Sequence, residues 1–264
     1  MHIFEFAGDS IDLNAMIGLG PVSILSWFVS TIAGGGSSLL LMPIIGFFLG
    51  ATAIAPVTTV GGIFGNLERV IAYRNRIHWG IVFWEAPGAI VGSVIGAFTL
   101  AQIQVEWIGI FVALFLIGSA LNYFLKNLKP SSETPQPQFL IQTWYFLPAG
   151  FIYAILSGII GSMGSILAPM YIGFGLQKEE LLATQALTRA IIHIVKVFAY
   201  FFFGILVSQH IIYGLVTGLT AIPGNWLGHL ALQRISEMQF RQLVMVFILV
   251  SGLIILGQEM SFIL

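Results

Sequence analysis

Residues 31–38 read Thr-Ile-Ala-Gly-Gly-Gly-Ser-Ser and interrupt an apolar run between Met16 and Leu49. Three consecutive glycines weaken a helix by about 1 kcal/mol each relative to alanine and allow backbone conformations that other residues avoid. A helix is therefore predicted to stop and restart here, with Ser37 or Ser38 as the new N-cap. The free N–H groups and the positive dipole end of a restarted helix attract anions, so the stretch predicts an anion site.

A second stretch of this kind, residues 161–165 (Gly-Ser-Met-Gly-Ser), lies in the other half of the chain. Glycine and serine also occur where membrane helices pack closely, and that alternative applies to any single glycine pair. A break repeated in both halves instead favours two helix ends that face each other near the membrane midplane. These stretches contain the following predicted substrate-binding residues: Gly34, Gly35, Gly36, Ser37, Ser38, Gly161, Ser162, Gly164 and Ser165.

The composition indicates an integral membrane protein. Hydrophobic residues make up 58% of the 264 and charged residues only 8%, with a mean hydropathy of +0.97, whereas a soluble domain has roughly a quarter charged residues. The apolar runs are about as long as the ~20 residues of a membrane-spanning helix. They lack the alternation of a β-barrel strand, so the spanning elements are predicted to be helices.

Several functions are excluded by what the sequence lacks. Without cysteine there is no disulfide, thiolate metal site or cysteine nucleophile. The net charge of −1 argues against a nucleic-acid partner. No phosphate-binding Gly-x-x-x-x-Gly-Lys-Ser/Thr loop is present, so ATP does not drive the protein directly, and no cofactor, metal site or catalytic residue is predicted. An intramembrane serine protease, with Ser37 or Ser162 as nucleophile and His193 as base, is the enzyme alternative, and it is disfavoured because Gly-x-Ser-x-Gly is absent.

Ten apolar segments are predicted, five in each half of the chain. A first repeat over residues 1–125 and a second over residues 142–264 are joined by a cytoplasmic linker at 126–141, which contains Lys129, Pro130, Pro135 and Pro137. Residues 1–15 lack the basic region of a signal peptide, so the whole chain is expected in the mature protein. The segments are residues 15–33, 37–50, 54–73, 79–103, 106–125, 142–160, 163–176, 180–203, 209–232 and 239–258.

The two halves are related in sequence. At a spacing of 126 positions Gly35, Pro43 and Thr58 correspond to Gly161, Pro169 and Thr184, and at 132 positions Gly92 and Gly96 correspond to Gly224 and Gly228. Internal repeats of this kind are common in secondary transporters. The fold is therefore predicted to be an all-α polytopic protein with two homologous halves of about five segments each.

The basic residues predict the direction of each segment, because Lys and Arg are retained on the cytoplasmic side. If all ten segments cross and both termini lie outside, seven basic residues are cytoplasmic: Arg74, Arg76, Lys126, Lys129, Lys178, Arg234 and Arg241. A rival topology, with segments 37–50 and 163–176 re-entrant, would place Arg234 and Arg241 outside. An odd number of crossings per half makes the halves inverted repeats with glycine-broken half-helices, as in alternating-access transporters.

Polar residues follow one face of the segment at 180–203. Gln185, Arg189, His193 and Lys196 are spaced four, four and three apart, and ionisable residues within a span usually face a polar pathway. A guanidinium at Arg189 suits an oxyanion; the alternative is a buried ion pair with Glu179, Glu180 or Glu85. Further predicted binding residues are Thr58, Thr59, Asn66, Thr184 and Gln185.

Other charged residues leave alternatives open. Arg69 either faces the same pathway or extends its charge to the cytoplasmic surface, with Glu68 paired to a neighbour. His193 is a candidate proton-coupling group, since histidine titrates near neutral pH, or else a hydrogen-bonded residue within the bundle. Glu85 is a second proton-coupling candidate, or else lies near the cytoplasmic headgroups.

Several motifs together carry a resemblance to a known family. Residues 33–37 (Ala-Gly-Gly-Gly-Ser), the basic loop 73–79 (Tyr-Arg-Asn-Arg-Ile-His-Trp) and residues 88–97 (Gly-Ala-Ile-Val-Gly-Ser-Val-Ile-Gly-Ala) resemble the sulfite exporter TauE/SafE family of membrane permeases, of the TSUP type. Residues 158–169 and 204–210 resemble the corresponding second-half motif, although the second break has fewer glycines than is typical.

The resemblance implies transport of sulfite, a sulfonate or a related organosulfur anion across the bacterial cytoplasmic (inner) membrane. The expected function is a secondary transporter, most simply an exporter, that works by alternating access. The alternative is an anion channel or facilitator for another small oxyanion or a carboxylate; a purely structural subunit would not need mirrored breaks. The expected partners are the anion and the lipid bilayer, and the sequence is also compatible with a homodimer.

Overall fold

The computed structural model describes residues 3–6, 9–102, 114, 117–118, 120–121, 124–125 and 141–263. Strands β1 (Ile3–Phe6) and β2 (Asp9–Asp12) form an antiparallel hairpin before the first helix. This hairpin was not predicted from the sequence. Residues 3–12 carry three carboxylates, Glu5, Asp9 and Asp12, and are too polar to extend the first membrane helix.

The rest of the described chain is helical. Most of the predicted segment at 106–125 and nearly all of the linker at 126–141 lie outside the described residues. Single 3₁₀ turns occur at Arg74–Arg76 and Thr143–Tyr145. The α-helices are α1 (Leu13–Ile32), α2 (Ser37–Leu49), α3 (Ala51–Ala72), α4 (Trp79–Gln102), α5 (Phe146–Ile160), α6 (Ala168–Phe174), α7 (Lys178–Phe202), α8 (Ser208–Leu219), α9 (Ala221–Leu232) and α10 (Glu237–Ile263).

The prediction of a multi-pass helical membrane protein is confirmed. Within the described part of the chain, five stretches are helical, long and apolar enough to cross a bilayer: Leu13–Ile32, Trp79–Gln102, Thr143–Ile160, Lys178–Phe202 and Glu237–Ile254.

Three of the predicted segments differ from the observed helices. Helix α2 has 13 residues and α6 has 7, so at 1.5 Å per residue they measure about 20 and 10 Å, less than the ~30 Å of the hydrocarbon core. Each of these two helices by itself therefore covers only part of the hydrocarbon core. The segment predicted at 209–232 divides at Thr220 into α8 and α9, because Pro223 has no N–H to donate to the preceding turn.

The two halves of the sequence are interleaved in space. Helix α1 packs on α9, α5 on α4, and α3 on both α7 and α8. Glycines permit the first two contacts: a β-carbon on Gly92 would lie 2.3 Å from the Phe151 carbonyl oxygen, and one on Gly224 would lie 2.5 Å from that of Ile24. The core between the halves therefore depends on backbone contact that any larger residue would block.

Candidate functional site

A small cavity lies where the two halves meet. Its volume of about 20 Å³ is enough for a single water molecule. Helix α1 ends and helix α2 begins at the wall of the cavity, and helices α3 and α7 cross beside it. Eight of the residues predicted from the sequence line it: Gly36, Ser37, Ser38, Thr58, Asn66, Ser162, Arg189 and His193.

Arg189 is the least engaged cation at this cavity. Its side chain is 7% exposed, and its guanidinium lies 5.4 Å from the ring centroid of Tyr153. Its Nη2 atom has no hydrogen-bond partner among the residues that the structure describes. The acidic residues considered as partners are engaged elsewhere: Glu179 with Arg76 at 3.2 Å, Glu180 with the Gln177 amide at 3.1 Å, and Glu85 with Tyr171.

Other buried polar atoms near Arg189 also lack partners in the described part of the chain. They are both amide atoms of Gln185, Oγ of Ser165 and Nδ1 of His193. Buried polar groups in folded proteins are nearly always hydrogen-bonded. A cluster of exceptions around one cavity therefore fits a site that a polar ligand completes.

Gly35 brings the first break into contact with this cluster. Its φ is +123°, and a β-carbon there would lie 2.7 Å from Arg189 Nη1, 2.8 Å from Ser165 Oγ and 3.4 Å from Gln185 Oε1. The guanidinium therefore uses the space that any other residue at position 35 would fill. Residues from both breaks and from α7 meet at this point.

Helix α2 presents its N-terminus to the cavity through Gly36, Ser37 and Ser38. Neither serine hydroxyl caps the helix, contrary to expectation. Ser38 instead donates from Oγ to the carbonyl of Ser162 in the second break, at 3.2 Å. The amides at the start of α2 are thus left for another acceptor.

Some predicted binding residues lie beside the cavity and do not line it. The hydroxyl of Thr184 accepts a hydrogen bond from the His78 amide at 2.9 Å, Thr59 lies beside Tyr200, and Gly34 packs on Val244. Gly161 contacts Ala55 and Thr58, and Gly164 has φ +57° in the second break.

Glu85 lies neither at the cavity nor at the protein surface near the headgroups, the two positions that the sequence left open. It is 1% exposed, accepts a short hydrogen bond from the Tyr171 hydroxyl, and packs on Gly150. The Tyr171 hydroxyl is also 3.5 Å from that of Thr188, the residue before Arg189. Glu85 therefore lies behind Arg189, away from the cavity and from the surface.

Arg69 is buried and does not extend to the surface. Its Nε donates to Asn225 Oδ1 at 3.1 Å, and its Nη2 donates to Ser30 Oγ and Thr31 Oγ1, both at 2.9 Å. Its guanidinium also lies 5.0 Å from the centroid of the Trp27 ring. Arg69 thus adds a second, structurally fixed positive charge to the cavity wall.

The neighbouring Glu68 forms the expected pair, with His229 at 3.1 Å. His229 also contacts the Tyr73 hydroxyl at 3.0 Å, just beyond the end of α3. Burial, together with the nearby Glu179 and Glu68 carboxylates, raises the pKa of Tyr73 to about 12. The phenol therefore stays protonated and available for this contact at neutral pH.

Sequence reasoning missed several lining residues, or assigned them no role at the site. Thr217 lies on a helix whose facing side is set by packing between the halves, and the same packing decided between the two alternatives for Arg69. A serine stripe in α1, Ser23, Ser26 and Ser30 with Thr31, was the available signal, since four hydroxyls on one apolar helix have to face polar partners. The lining residues without a prior assignment are Trp27, Ser30, Leu41, Gly61, Gly62 and Thr217.

The residues that the structure describes include no group of three or more His, Asp or Glu side chains placed to hold a metal ion. The residues that line the cavity supply hydroxyl and amide groups and the two guanidinium groups of Arg69 and Arg189.

The family model described as "Sulfite exporter TauE/SafE" matches residues 19–255 of the chain. No curated protein and no solved structure matches it significantly.

Proposed function

The chain belongs to the TauE/SafE sulfite exporter family, and from this premise we propose that it is a secondary transporter of a small sulfur-containing oxyanion. Sulfite or an organosulfonate is the substrate, and export across the bacterial cytoplasmic membrane is the direction. An anion channel or facilitator for another small oxyanion or a carboxylate is the alternative.

The buried, unpaired guanidinium of Arg189 is the observation that carries this proposal. A charge removed from water is stable only when it is paired or hydrogen-bonded. Among the described residues no carboxylate pairs with Arg189, so the anion itself supplies the missing charge. The planar fork of donors on arginine suits the oxygens of sulfite or a sulfonate.

The rest of the cavity supports an anionic substrate. Its charged walls are Arg69 and Arg189, and its polar walls are hydroxyls and amides such as Ser37, Thr58 and Asn66. The N-terminus of α2 adds the positive end of a helix dipole. No carboxylate is among the residues that the structure places in the lining, so a cation would find little compensation there.

The contacts between the halves support inverted repeats with broken half-helices. Arg76, after α3, pairs with Glu179 at the start of α7, while Gly62 within α3 contacts His193 toward the other end of α7. The equivalent helices α3 and α7 thus run in opposite directions. Helix α2 turns back along α1, where Phe48 contacts Gly18, so α1 and α2 are antiparallel.

The small size of the cavity supports alternating access over a channel. A volume of about 20 Å³ admits one water molecule but not a four-atom oxyanion. The walls have to separate before substrate binds, and a site that opens and closes at the contact between two repeats is the arrangement of alternating-access transporters.

The orientation remains the one predicted from the basic residues, with both termini outside and the linker in the cytoplasm. Arg74 and Arg76 lie together in an exposed turn after α3, which suits retention on the cytoplasmic side. The domain division at 126–141 and a homodimer remain predictions.

A ligand screen followed by flux measurement tests the proposal. Purified protein is heated with sulfite, sulfate, thiosulfate and small sulfonates, and a bound ligand raises the unfolding temperature. Flux of the ligand found is then measured in proteoliposomes for wild type, Arg189→Ala and the control Arg76→Ala, whose arginine lies in an exposed ion pair. Loss of flux in Arg189→Ala alone supports the proposal, and undiminished flux removes Arg189 from the site.

Recording the current across liposomes that contain the wild-type protein distinguishes a channel from a transporter. A transporter exchanges anions at a saturating rate and accelerates when labelled anion is present on the opposite side. Unitary ion currents, with no such acceleration, would establish the channel instead.

A further inference from the structure

Lys196 is a fully buried lysine with no acidic partner among the described residues. It lies on α7, one turn after the cavity residue His193, and its side chain is 0% exposed. Its ammonium donates to the carbonyl of Ser157 at 3.0 Å, to the hydroxyl of Ser157 at 3.1 Å and, by a short contact, to the carbonyl of Gly161. All three partners belong to the C-terminal end of α5, where the second glycine break begins.

Two carbonyl oxygens and a hydroxyl are the kind of ligands that coordinate an alkali-metal cation. The last carbonyls of a helix have no partners within the helix and carry the negative end of its dipole. In transporters with broken helices, carbonyls at half-helix C-termini and unwound segments coordinate Na⁺. Here a primary ammonium, covalently tethered to α7, fills that position.

The first break has an equivalent arrangement. The pair Arg69–Ser30 and the pair Lys196–Ser157 are related by the same shift of 127 positions. Each joins a basic residue near one end of α3 or α7 to a serine in the last turn of α1 or α5. A cation therefore holds the helix end at both breaks, and both cations are part of the chain.

We propose that Lys196 is a built-in cation that occupies the place of a coupling Na⁺ at the end of α5, so that anion transport needs no sodium. The claim that transport needs no sodium rests on the proposed function. The claim that Lys196 fills a cation site does not. Removing the side chain should create a site for a free monovalent cation of the same kind, Na⁺ or a small alkylammonium.

Two substitutions separate a cation site from a packing role. Lys196→Ala empties the space around the two carbonyls and the hydroxyl. Lys196→Met fills most of it with an uncharged chain of similar length. Both leave the carbonyls without their donor, and only the alanine variant leaves room for a free cation.

The experiment is thermal unfolding of wild type and both variants, without any candidate substrate, in choline chloride to which NaCl or methylammonium chloride is added at constant ionic strength. We expect wild type to unfold at one temperature in all three salts. We expect Lys196→Ala to unfold several degrees lower in choline and to recover, with saturation, as Na⁺ or methylammonium increases. Lys196→Met should be destabilised and should not recover.

The inference is overturned if Lys196→Ala does not respond to either cation, if it unfolds at the wild-type temperature in choline, or if Lys196→Met recovers equally. A variant too unstable to purify is compared in isolated membranes by heat-induced aggregation, with the same criteria. Sodium-dependent anion flux by the wild type would also overturn it. Absence of any anion flux by the wild type would instead reject the proposed function and leave the cation measurement valid.

Discussion

Arg189 and Gly35 are in direct contact across the candidate site, with Nη1 of the arginine in the space where a β-carbon on residue 35 would lie, 2.7 Å away. Gly35 lies in the first glycine break. Arg189 lies on α7, the helix of the second half that corresponds to α3. The guanidinium that we propose to bind the anion is therefore positioned by the absence of a side chain in the other half of the chain.

We expect Gly35→Ala to reduce anion flux at least tenfold. The new methyl group would displace Arg189, and alanine is also strained at a φ of +123°. Gly50→Ala is the matched control, because Gly50 has φ +86° and nothing within 4 Å of its added β-carbon. The two variants share the strain and differ in the clash, so equal flux in both, measured in proteoliposomes, would reject the role of this contact.

Asn225 should be important for stability. It is 0% exposed, accepts hydrogen bonds from Arg69 at 3.1 Å and Thr31 at 2.9 Å, and donates to the Gly65 carbonyl at 2.8 Å. Asn225→Leu leaves these groups unsatisfied and should lower the free energy of unfolding by about 2–4 kcal/mol. Thermal unfolding measures this loss. The exposed Asn75→Leu is the control, and a similar small effect in both would contradict the prediction.

Glu85 is expected to make transport depend on pH. The described residues provide it with hydroxyl donors but no cation in an ion pair, and an ionisable side chain within a membrane span usually belongs to an ion or proton pathway. The groups around it are Tyr171 from α6, Thr188 and Arg189 from α7, and Tyr153 from α5. We expect Glu85→Gln to transport at similar rates at pH 6 and pH 8.

Flux at the two pH values is compared for wild type, Glu85→Gln and the control Glu180→Gln, whose carboxylate caps the start of α7. Persistence of the wild-type pH dependence in Glu85→Gln would show that another group is responsible. His193→Gln then tests the second proton-coupling candidate in the same assay.

The topology can be tested on a background free of native cysteine. Lys178 lies at the start of α7, and His210 follows its other end, so Lys178→Cys and His210→Cys should react with membrane-impermeant reagents from opposite sides. A helix of 25 residues spans about 37 Å, more than the apolar layer. Labelling of both positions from the same side would rule out a complete crossing by α7.

Much of the architecture follows from the sequence alone. Apolar segments of spanning length predict membrane helices because each backbone polar group has to be satisfied within the bilayer. The composition of residues 31–38 and 161–165 singles out these two stretches, since glycine runs destabilise a helix wherever they occur. Arg189 could also be singled out from local chemistry. Burying a guanidinium in an apolar segment costs free energy, so such a residue usually marks a functional site.

Other features depend on contacts between residues far apart in the chain. The packing of the two halves against each other sets three of these features. Arg69 and Thr217 line the cavity, Glu85 lies behind Arg189, and the Lys196 ammonium lies at the end of α5. The spacing of polar residues along one helix specifies a face but not the neighbour of that face. The sequence by itself determined a multi-pass, helical membrane protein. Only the tertiary structure decided which buried guanidinium keeps an unpartnered donor among the described residues, because that depends on which buried charges already have partners.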